Sequence, residues 1–446
     1  YVPPGHYRLS LPPAQLRAAL TMRYSGVVLR GAGAEHTFLF NETTSMVVYA
    51  PPMVNNELTK YSRTILRVSP GTLLKWKDKP SWAAEAHVTA DLLVPTTVIP
   101  LESVAGFDVG DWVVLRSDLT HEFNEEHQMA DRWDSQVASE HFKPMFVRQI
   151  VAVDDEANEI RIDVPTRYYL KTRDNARVHH IIRATTSDPA DPEPYFLEEV
   201  ALEGFSIGNI EHPNVGSGEG WGVGDAGDRT KDAHWVSSYA ISVAGVRNGW
   251  IRDVHTYRHE QNTTDSHVLT SALTLQYCVA VTVQDSSFQK AMWAGDGGYG
   301  YMVSYIATQE VLVADTDVGN ARHGFTFSGM ATSGNVILRG VAHDTGWRGI
   351  EGTPNTAGSS GSDHHAWLSQ ANLFDATAAE RDYFAAFWRV SSNHGTTAVH
   401  TVFWNVDGRE YPANYGTYAG EHVIMTQQGR YGYAIGTRGP ASRVSI

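Results

Sequence analysis

Residues able to transfer protons or hold an anion stand directly before several short apolar runs in the second half of the chain. The stretches DSHVLTSAL, GDGGYGYMV, NARHGFTF, SDHHAWLS, ERDYFAAF and GEHVIM contain His267, Tyr299 and Tyr301, Arg322 and His323, His364 and His365, Asp382 and Tyr383, and Glu421 and His422. If these runs are strands of successive coils, neighbouring coils lie ~4.8 Å apart and the polar residues form a row. Three or four coils span roughly 15–20 Å, which predicts a groove for several units of a chain molecule.

Arg, His and Tyr in one groove suit β-elimination from a uronate. Arg322 is a permanent cation with a planar fork that matches a carboxylate, so it would neutralise the uronate and acidify the adjacent C–H. His323, His365 or His267 would remove that proton, because a neutral imidazole is a base near working pH. Tyr301 would protonate the leaving oxygen. These five residues are the predicted catalytic set.

A second set is predicted to bind the substrate around them: Arg348, Lys290, Trp293, Trp347, Tyr299, His364 and Asp296. Arg348 and Lys290 would add positive potential to an otherwise acidic protein. Trp293 and Trp347 stand beside Gly-rich turns, where their rings would be free to stack on sugar faces. Trp388 and Trp404 lie within strand-like runs, so we expect them in the core or between coils.

Hydrolysis or glycosyl transfer by paired carboxylates is the alternative chemistry. Hydrolysis needs the two carboxylates about 5–5.5 Å apart for retention or about 6.5–9.5 Å apart for inversion. The candidates are Asp265, Asp296, Asp344, Glu351 and Asp363. Asp296 in WAGDGGYGY is the best placed, since its flanking glycines let a backbone approach a substrate closely. Asp363 would equally suit orienting a histidine or holding a cation.

A non-catalytic glycan-binding or adhesin- or tailspike-like β-solenoid is a further alternative. The chain has no Walker sequence, no HExxH and no Gly-x-Ser-x-Gly elbow. GAGAEH (31–36) has His36 where a dinucleotide loop needs its third Gly, so it is interpreted as a tight turn.

The elements that must position these residues form a loose internal repeat. WIRDVHT (250–256), VTVQDSS (281–287), VLVADTD (311–317) and VILRGVA (336–342) start 31, 30 and 25 residues apart, and HTVFWNV (400–406) has the same pattern. A second short strand precedes each of the first four, in AISVAG, LTLQYC, YMVSYI and FTFSGM. One coil of this size cannot bury its inward face alone, so coils stack and share a core. The repeat predicts an all-β parallel β-helix.

SGVVLRGAGAEHTFLF (25–40) and the coil series from about 198 to 438 resemble the pectate-lyase-like right-handed parallel β-helix superfamily of carbohydrate-active proteins. The resemblance lies in the fold and matches no complete catalytic signature of one family. It implies a polysaccharide substrate. Lyases of this superfamily usually use Lys or Arg as the base and often Ca²⁺, so Ca²⁺ is a possible cofactor. This chain departs from that pattern, because its central coils contain only Lys290.

Three regions are expected. Residues 1–85 form an N-terminal cap and first coils, with a short helix at 12–24. Residues 86–190 form an inserted β module with an acidic helical lid at 120–136 and a hairpin at 147–165. Residues 191–446 form the main coils, with a Gly-rich loop at 214–235.

Composition excludes several classes of partner. A net charge of −15 argues against binding a nucleic-acid backbone, which needs clustered Lys and Arg. No apolar run approaches the ~20 residues of a membrane span. The lone Cys278 allows no intrachain disulfide and is expected to be buried. The opening YVPPGHYRLS is typical of a trimmed, mature protein. A carbohydrate-active β-helix is expected to be secreted or periplasmic.

Overall fold

The structure, a computed structural model, describes all residues except 13, 15, 55–56, 71–84, 135–141, 182–195, 213–237, 293–299, 346–360, 390–392 and 413–421. The chain begins with the strands β1 (Gly5–Leu9), β2 (Ala18–Met22), β3 (Val28–Arg30), β4 (Thr37–Asn41), β5 (Val47–Val54), β6 (Glu57–Ser62) and β7 (Thr64–Val68). The helix predicted at 12–24 is wrong, because β2 pairs in parallel with β7. Ala18, Leu20 and Met22 also fit the alternation of a strand, and pairing with a neighbour decides between the two periods.

An antiparallel β module follows. Its elements are β8 (Glu85–His87), β9 (Val98–Pro100), β10 (Trp112–Arg116), α1 (His121–Glu126), α2 (Ala130–Trp133), β11 (Met145–Asp154), β12 (Glu159–Ile162), a 3-10 turn (Thr172–Asp174) and β13 (Arg177–His180). The strand order is β8-β13-β10-β11-β12-β9. Helix α1 begins at Thr120, whose hydroxyl accepts a hydrogen bond from the Phe123 N–H at 3.0 Å. The helical segment and the hairpin β11–β12 confirm two sequence predictions.

The main coils contain the remaining strands: β14 (Leu197–Glu198), β15 (Ala201–Asn209), β16 (Tyr239–Ala244), β17 (Val246–Arg247), β18 (Trp250–Thr256), β19 (Ser271–Gln276), β20 (Thr282–Gln284), β21 (Ser287–Gln289), β22 (Tyr301–Ile306), β23 (Leu312–Ala314), β24 (Asp317–Gly319), β25 (His323–Ser328), β26 (Val336–Leu338), β27 (Val341–His343), β28 (Ser362–Ala366), β29 (Ser369–Gln370), β30 (Leu373–Asp375), β31 (Ala378–Glu380), β32 (Phe384–Ala386), β33 (Trp388–Arg389), β34 (Gly395–Thr396), β35 (Ala398–Val399), β36 (Val402–Trp404), β37 (Asp407–Glu410), β38 (Ile424–Thr426), β39 (Tyr433–Ile435) and β40 (Val444–Ser445). The Gly-rich loop predicted at 214–235 lies outside the described residues.

Parallel pairing between successive coils makes the chain a β-helix. One sheet, called here the front sheet, has the order β2-β7-β16-β19-β22-β25-β28-β32-β38-β40. Two further rows run β18-β20-β23-β26-β30-β36-β39 and β18-β21-β24-β27-β31-β37. Each central coil thus places one strand in each of three rows. Parallel crossover connections are right-handed in about 98% of cases. The fold is the parallel β-helix that the repeat predicts, with the right-handed turn that the resemblance implies.

Inward-facing side chains stack in columns along the axis. Val283, Val313, Ile337, Phe374 and Phe403 are level with one another in adjacent strands, and all are fully buried. The repeat places Val281 and Val311 level with Trp250, but the structure pairs Trp250 with Thr282 and Thr282 with Leu312. In these two coils the observed register is therefore one residue later than the register that the repeat predicts. It keeps the apolar column in the core, whereas the predicted register would turn that column outward.

Cys278 is fully buried, as predicted, and burial raises the pKa of its thiol to about 12. Trp388 and Trp404 are not in the core: they are 41% and 46% exposed. In β36 the inward position belongs to Phe403, so alternation turns Trp404 to the outer face. In the part of the chain that the structure describes, no helix has the length and apolar content needed to cross a membrane.

His364 occupies an aromatic column of the core. Its ring stacks on Phe327 at 4.9 Å, and Phe327 stacks on Tyr305 at 4.3 Å. The Nδ1–H of His364 donates to the Ser369 hydroxyl at 2.6 Å, while that hydroxyl donates to the Thr397 carbonyl at 3.1 Å. Burial lowers the pKa of His364 to about 3, so this imidazole is neutral in the folded protein.

The buried His364 is expected to make the protein less stable in acid. Its pKa is lower in the folded than in the unfolded chain, so the unfolded chain binds the extra proton once pH falls below about 6.5. His364→Leu should therefore flatten the loss of unfolding free energy between about pH 6 and 4, by up to about 1.4 kcal/mol per pH unit. Urea unfolding at several pH values measures this slope. His87→Leu, which removes an exposed imidazole, should keep the wild-type slope, and an unchanged slope in His364→Leu would contradict the assignment.

Candidate functional site

The front sheet gathers ionisable side chains where three consecutive strands begin. Tyr301 opens β22 and is level with His323, which opens β25. Asp363 and His365 belong to β28, the next strand of the sheet. We call the following residues the His–Arg cluster: Tyr301, Arg322, His323, Asp363, His365 and Arg389. All six are buried, so Tyr301, Arg322, His323 and His365, which the sequence places in an open groove, lie almost wholly beneath the surface.

A β-bulge frees His365 from strand pairing. Asp363 is level with Thr326, and His364 with Phe327, but the next pair is Ala366 with Ser328. His365 is therefore the extra residue on its strand. Bulges of this kind re-aim a side chain and are common beside active sites.

Tyr301, His365 and Asp363 form a hydrogen-bonded chain. The His365 Nδ1 lies 3.3 Å from Asp363 Oδ2, and the His365 Nε2 lies 3.3 Å from the Tyr301 hydroxyl oxygen. A carboxylate only accepts, so it fixes the proton of His365 on Nδ1 and leaves the Nε2 lone pair facing the phenol. Arg389 Nη2 donates to Asp363 Oδ2, which keeps that carboxylate in place.

His323 lies at the bottom of the cluster. Its Nδ1 is 2.7 Å from the Gly361 carbonyl oxygen and 3.5 Å from Asp363 Oδ1. The carbonyl oxygen accepts, so Nδ1 carries the proton and Nε2 is the basic atom. Within the described ranges, this buried Nε2 has no hydrogen-bond partner. The ring of His323 meets that of His365 edge-on at 5.0 Å.

Arg322 is a buried cation without a carboxylate among the residues that the structure describes. It is 6% exposed, its Nη1 is 3.5 Å from the Tyr301 hydroxyl, and its Nε is buried without a hydrogen bond. With the histidines neutral, the two guanidinium groups and the Asp363 carboxylate leave the cluster with a formal charge of +1. Burying an unpaired charge is costly, so the cluster is better matched to an anion than to a cation.

Burial sets the protonation states of the cluster. It lowers the pKa of His365 well below the usual 6.5, and Arg389 and Arg322 lower it further. It also lowers the pKa of His323 well below that value, although Asp363 acts in the opposite direction. Burial raises the pKa of Tyr301 above 10.0. At neutral pH the site therefore presents two neutral imidazoles and a protonated phenol.

The other predicted site residues are placed elsewhere or not described. The His267 N–H donates to the Lys290 carbonyl at 2.9 Å, and Lys290 pairs with Asp265. Ser271 is the residue of β19 that is level with Tyr301, and His267 lies four positions before it. No described contact joins His267 or Lys290 to the cluster. His364 faces the core, so it does not line a surface groove. Five residues lie outside the described ranges: Arg348, Trp293, Trp347, Tyr299 and Asp296.

The sequence prediction missed two residues that the structure brings to the cluster, Arg389 and His394. The His394 ring lies 5.4 Å from that of His365, and burial lowers the pKa of His394 to about 4. Arg389 belongs to the short strand β33, outside the repeat. Its only signal is a cation beside the apolar run AAFW, which is too weak to predict a site.

The inserted module packs against this end of the coils. Trp133 in α2 donates its Nε1–H to the His394 carbonyl at 3.3 Å, and the Arg132 guanidinium lies 4.5 Å above the Trp388 ring. The ring centroids of Phe142 and Trp367 are 3.7 Å apart, and those of Trp367 and His394 are 4.9 Å apart. The described part of the segment predicted as a short acidic helix or lid thus packs beside the cluster.

His323, Asp363 and His365 place three possible metal ligands within 4.8 Å of one another. Ca²⁺ prefers six to eight oxygen ligands, and this trio supplies one carboxylate, so the residues present do not fit the Ca²⁺ that the resemblance implies. Two imidazoles and a carboxylate suit a transition metal better. The positive charges of Arg322 and Arg389 oppose binding of any cation there.

Gly395 tests how closely the module packs against the coils. Its φ is +64°, and an added Cβ would meet Met129 as well as Trp133 Nε1 at 3.0 Å. Gly26 has a similar φ of +73° but open space around its Cβ position. Gly395→Ala should therefore lower the unfolding free energy by about 1–3 kcal/mol more than Gly26→Ala, which carries only the backbone strain. Chemical denaturation of both variants measures the difference, and equal losses would show that α2 does not pack against Gly395.

No protein-family model matches the chain, and no curated protein matches it in sequence. Among solved structures, it is similar to the tailspike protein gp49 from Pseudomonas phage LKA1, with a TM-score of 0.47 and 9% identity over 96% of this chain and 52% of that chain. The tailspike gp61 of Pseudomonas phage phi297 gives a TM-score of 0.37 and 9% identity over 96% and 70% of the two chains. The tailspike Gp54 of Acinetobacter baumannii bacteriophage AP22, solved with a capsular saccharide, gives 0.34 and 7% over 97% and 68%. The chain spans about half the length of the first of these. At these low TM-scores, the fold assignment rests on the strand pairing described above.

Proposed function

We propose that the chain is a polysaccharide lyase that cleaves a uronate-containing polysaccharide by β-elimination at the His–Arg cluster. The observation that carries this proposal is Arg322, a buried guanidinium with no carboxylate partner among the described residues, beside neutral imidazoles and a protonated phenol. A uronate carboxylate would supply the missing partner. Such polysaccharides lie outside the cytoplasm, so the proposal includes a secreted or periplasmic protein.

Arg322 acts on the acidity of the substrate. A carboxylate next to a C–H bond opposes removal of that proton, because the carbanion would add a second negative charge. A bidentate guanidinium neutralises the carboxylate and stabilises the charge that develops on it. Arg389 is already committed to Asp363, which leaves Arg322 as the cation available to a ligand.

His365 is assigned as the base and Tyr301 as the acid. His365 Nε2 takes the proton from the carbon bearing the carboxylate, a carbon–carbon double bond forms, and the bond to the glycosidic oxygen breaks. Tyr301 gives its proton to that oxygen as it leaves. The proton then moves from His365 to Tyr301 across their 3.3 Å contact, which restores the site. His365, Tyr301 and Arg322 are 9%, 8% and 6% exposed, whereas His323 and Asp363 are fully buried, so the three assigned groups belong to the less buried part of the cluster, together with Arg389 at 6%.

Hydrolysis by paired carboxylates is less well matched to this cluster. Asp363 is its one carboxylate among the residues described, and that group is held by Arg389. Of the other candidates, Asp344 is bonded to Arg381 and His343, Asp265 pairs with Lys290, and Asp296 and Glu351 lie outside the described ranges.

Replacing Arg322 tests the proposal. Arg322→Ala should lower kcat on a cleaved polyuronate about 10²-fold or more, and Arg322→Lys should restore only part of it, because an ammonium lacks the planar fork. The rise in ultraviolet absorbance of the unsaturated uronate measures the rate, and thermal unfolding checks the fold. Arg339→Ala, which removes an exposed arginine paired with Asp315, is the matched control and should keep full activity.

Three results would overturn the proposal. Release of reducing ends from neutral glycans without unsaturated products would favour the hydrolase. Glycan binding without any product, unchanged in Arg322→Ala, would favour a binding protein without catalysis. Full elimination activity in Arg322→Ala would remove this residue from the site.

The protonation states predict a broad pH profile. The base must be unprotonated, and its lowered pKa keeps it so to well below pH 6.5. The acid must be protonated, and its raised pKa keeps it so above pH 10.0. kcat/KM should therefore be flat between these limits, as measured by initial rates from about pH 4 to 11. Pre-incubation at each pH followed by assay at pH 7 separates titration from acid unfolding. A half-maximal rate on the acid side above pH 6.5 would contradict the assignment of His365.

A further inference from the structure

A second site lies on the outer face of the first coils, away from the His–Arg cluster. Strands β1, β4, β15 and β18 pair in parallel, so that His6, Phe38, Ser206 and His255 form one level row. The alternating neighbours Leu39, Ile207 and Val254 belong to the core, so the row faces outward. His6 stacks on Phe38 at 4.6 Å with an interplanar angle of 12°.

Small residues in the middle strand turn this row into a trough. Ser206 and Gly208 of β15 have Phe38 and Phe40 on one side, and His255 and Tyr257 on the other. The Tyr257 ring lies over Gly208, where an added Cβ would come within 3.0 Å of the ring. The same ring touches Phe38, with centroids 5.0 Å apart. Any larger residue at 208 would displace Tyr257 from this wall.

Two adjacent cavities of about 420 and 570 Å³ open on the trough and share Phe38 as a wall. The smaller is lined by His6, Tyr257, Arg258, His259 and Glu260. The larger lies between the turn at 33–36, Ser206, Asp253 and His255. Volumes of 300–1,000 Å³ are typical of small-ligand sites.

Tyr257 marks the polar side of the smaller cavity. Its hydroxyl is buried and has no hydrogen-bond partner in the described part of the chain. Buried hydroxyl groups are nearly always bonded, so this one lacks a partner that a ligand reaching it would supply. The aromatic faces of Phe38 and Tyr257 carry negative π charge, which attracts the C–H face of a sugar ring. A hydroxyl donor beside an aromatic face is a combination suited to a pyranose.

The charge of the two cavities differs in sign from that of the His–Arg cluster. Glu35, Asp253 and Glu260 supply three carboxylates against the one guanidinium of Arg258, a formal charge of −2 with the histidines neutral. This surplus repels a uronate. We propose that the trough binds an uncharged pyranose unit of a glycan, with Phe38 and Tyr257 against the ring face and the Tyr257 hydroxyl bonded to a sugar oxygen. This goes beyond the proposed function and does not depend on it.

Saturation-transfer NMR with a panel of neutral hexasaccharides (β-glucan, α-glucan, mannan and chitin fragments) tests the site. At least one should receive saturation at its ring C–H protons. Phe38→Ala should weaken its binding at least tenfold, and Tyr257→Phe should weaken it while retaining stacking. Tyr433→Ala removes an exposed aromatic residue from the last coils and is the matched control, which should bind as the wild type does.

Thermal unfolding of each variant separates loss of the site from loss of the fold. A uronate hexasaccharide should bind Phe38→Ala and the wild type equally, and the elimination rate should be unchanged, so failure here is distinguishable from failure at the His–Arg cluster. Absence of binding to every neutral hexasaccharide would overturn the proposal. So would binding that survives Phe38→Ala in a folded variant, or a uronate that binds the trough in preference to the neutral sugars.

Discussion

Each coil of this β-helix pairs in register with the previous one. Residues at the same level of adjacent strands therefore all point inward to the core or all point outward. The apolar column from Val283 to Phe403 shows this on the inside. The same register sets Tyr301 beside His323, and His6 beside Phe38 on the outer face. A slip of one residue would turn core columns outward and separate both rows. Register is therefore the constraint on which the core, the cluster and the trough all depend.

The fold was predictable because its signal repeats. Four strand starts spaced by 31, 30 and 25 residues, each with a preceding short strand, define a coil whatever its exact residues. Single segments were less predictable. Ala18–Met22 fits both helical and strand spacing, and pairing with β7 decides it. Trp404 carries a large apolar ring, yet the smaller Phe403 takes the inward position, because alternation and register outweigh hydrophobicity at one position.

The candidate site was predictable only where it follows the repeat. Tyr301, Arg322 and His323 stand at equivalent points of successive coils, and the structure brings them together. His365 was predicted from the same repeat, but the bulge that frees it from strand pairing has no sequence signature here. Arg389 and His394 arrive from a segment outside the repeat, and the inserted module packs against that segment. His267 shows the converse: similar spacing from a strand does not ensure the same position in the sheet, because loop lengths differ between coils.

The His–Arg cluster is positively charged although the chain has a net charge of −15. Burial strengthens the effect of that local charge because little water is present to screen it. Net charge is a sum over the surface, whereas a site responds to the few groups around it. Burial keeps the cluster histidines neutral, so their basicity is retained. Arg389 is paired with Asp363, whereas Arg322 has no carboxylate partner among the described residues. That arrangement costs stability in the free protein, since a buried guanidinium without a partner is poorly solvated. An anionic ligand would offset this cost as it binds. The trough on the first coils is negatively charged and open to solvent. The two surfaces therefore select ligands of different charge, whatever the shape of the ligand.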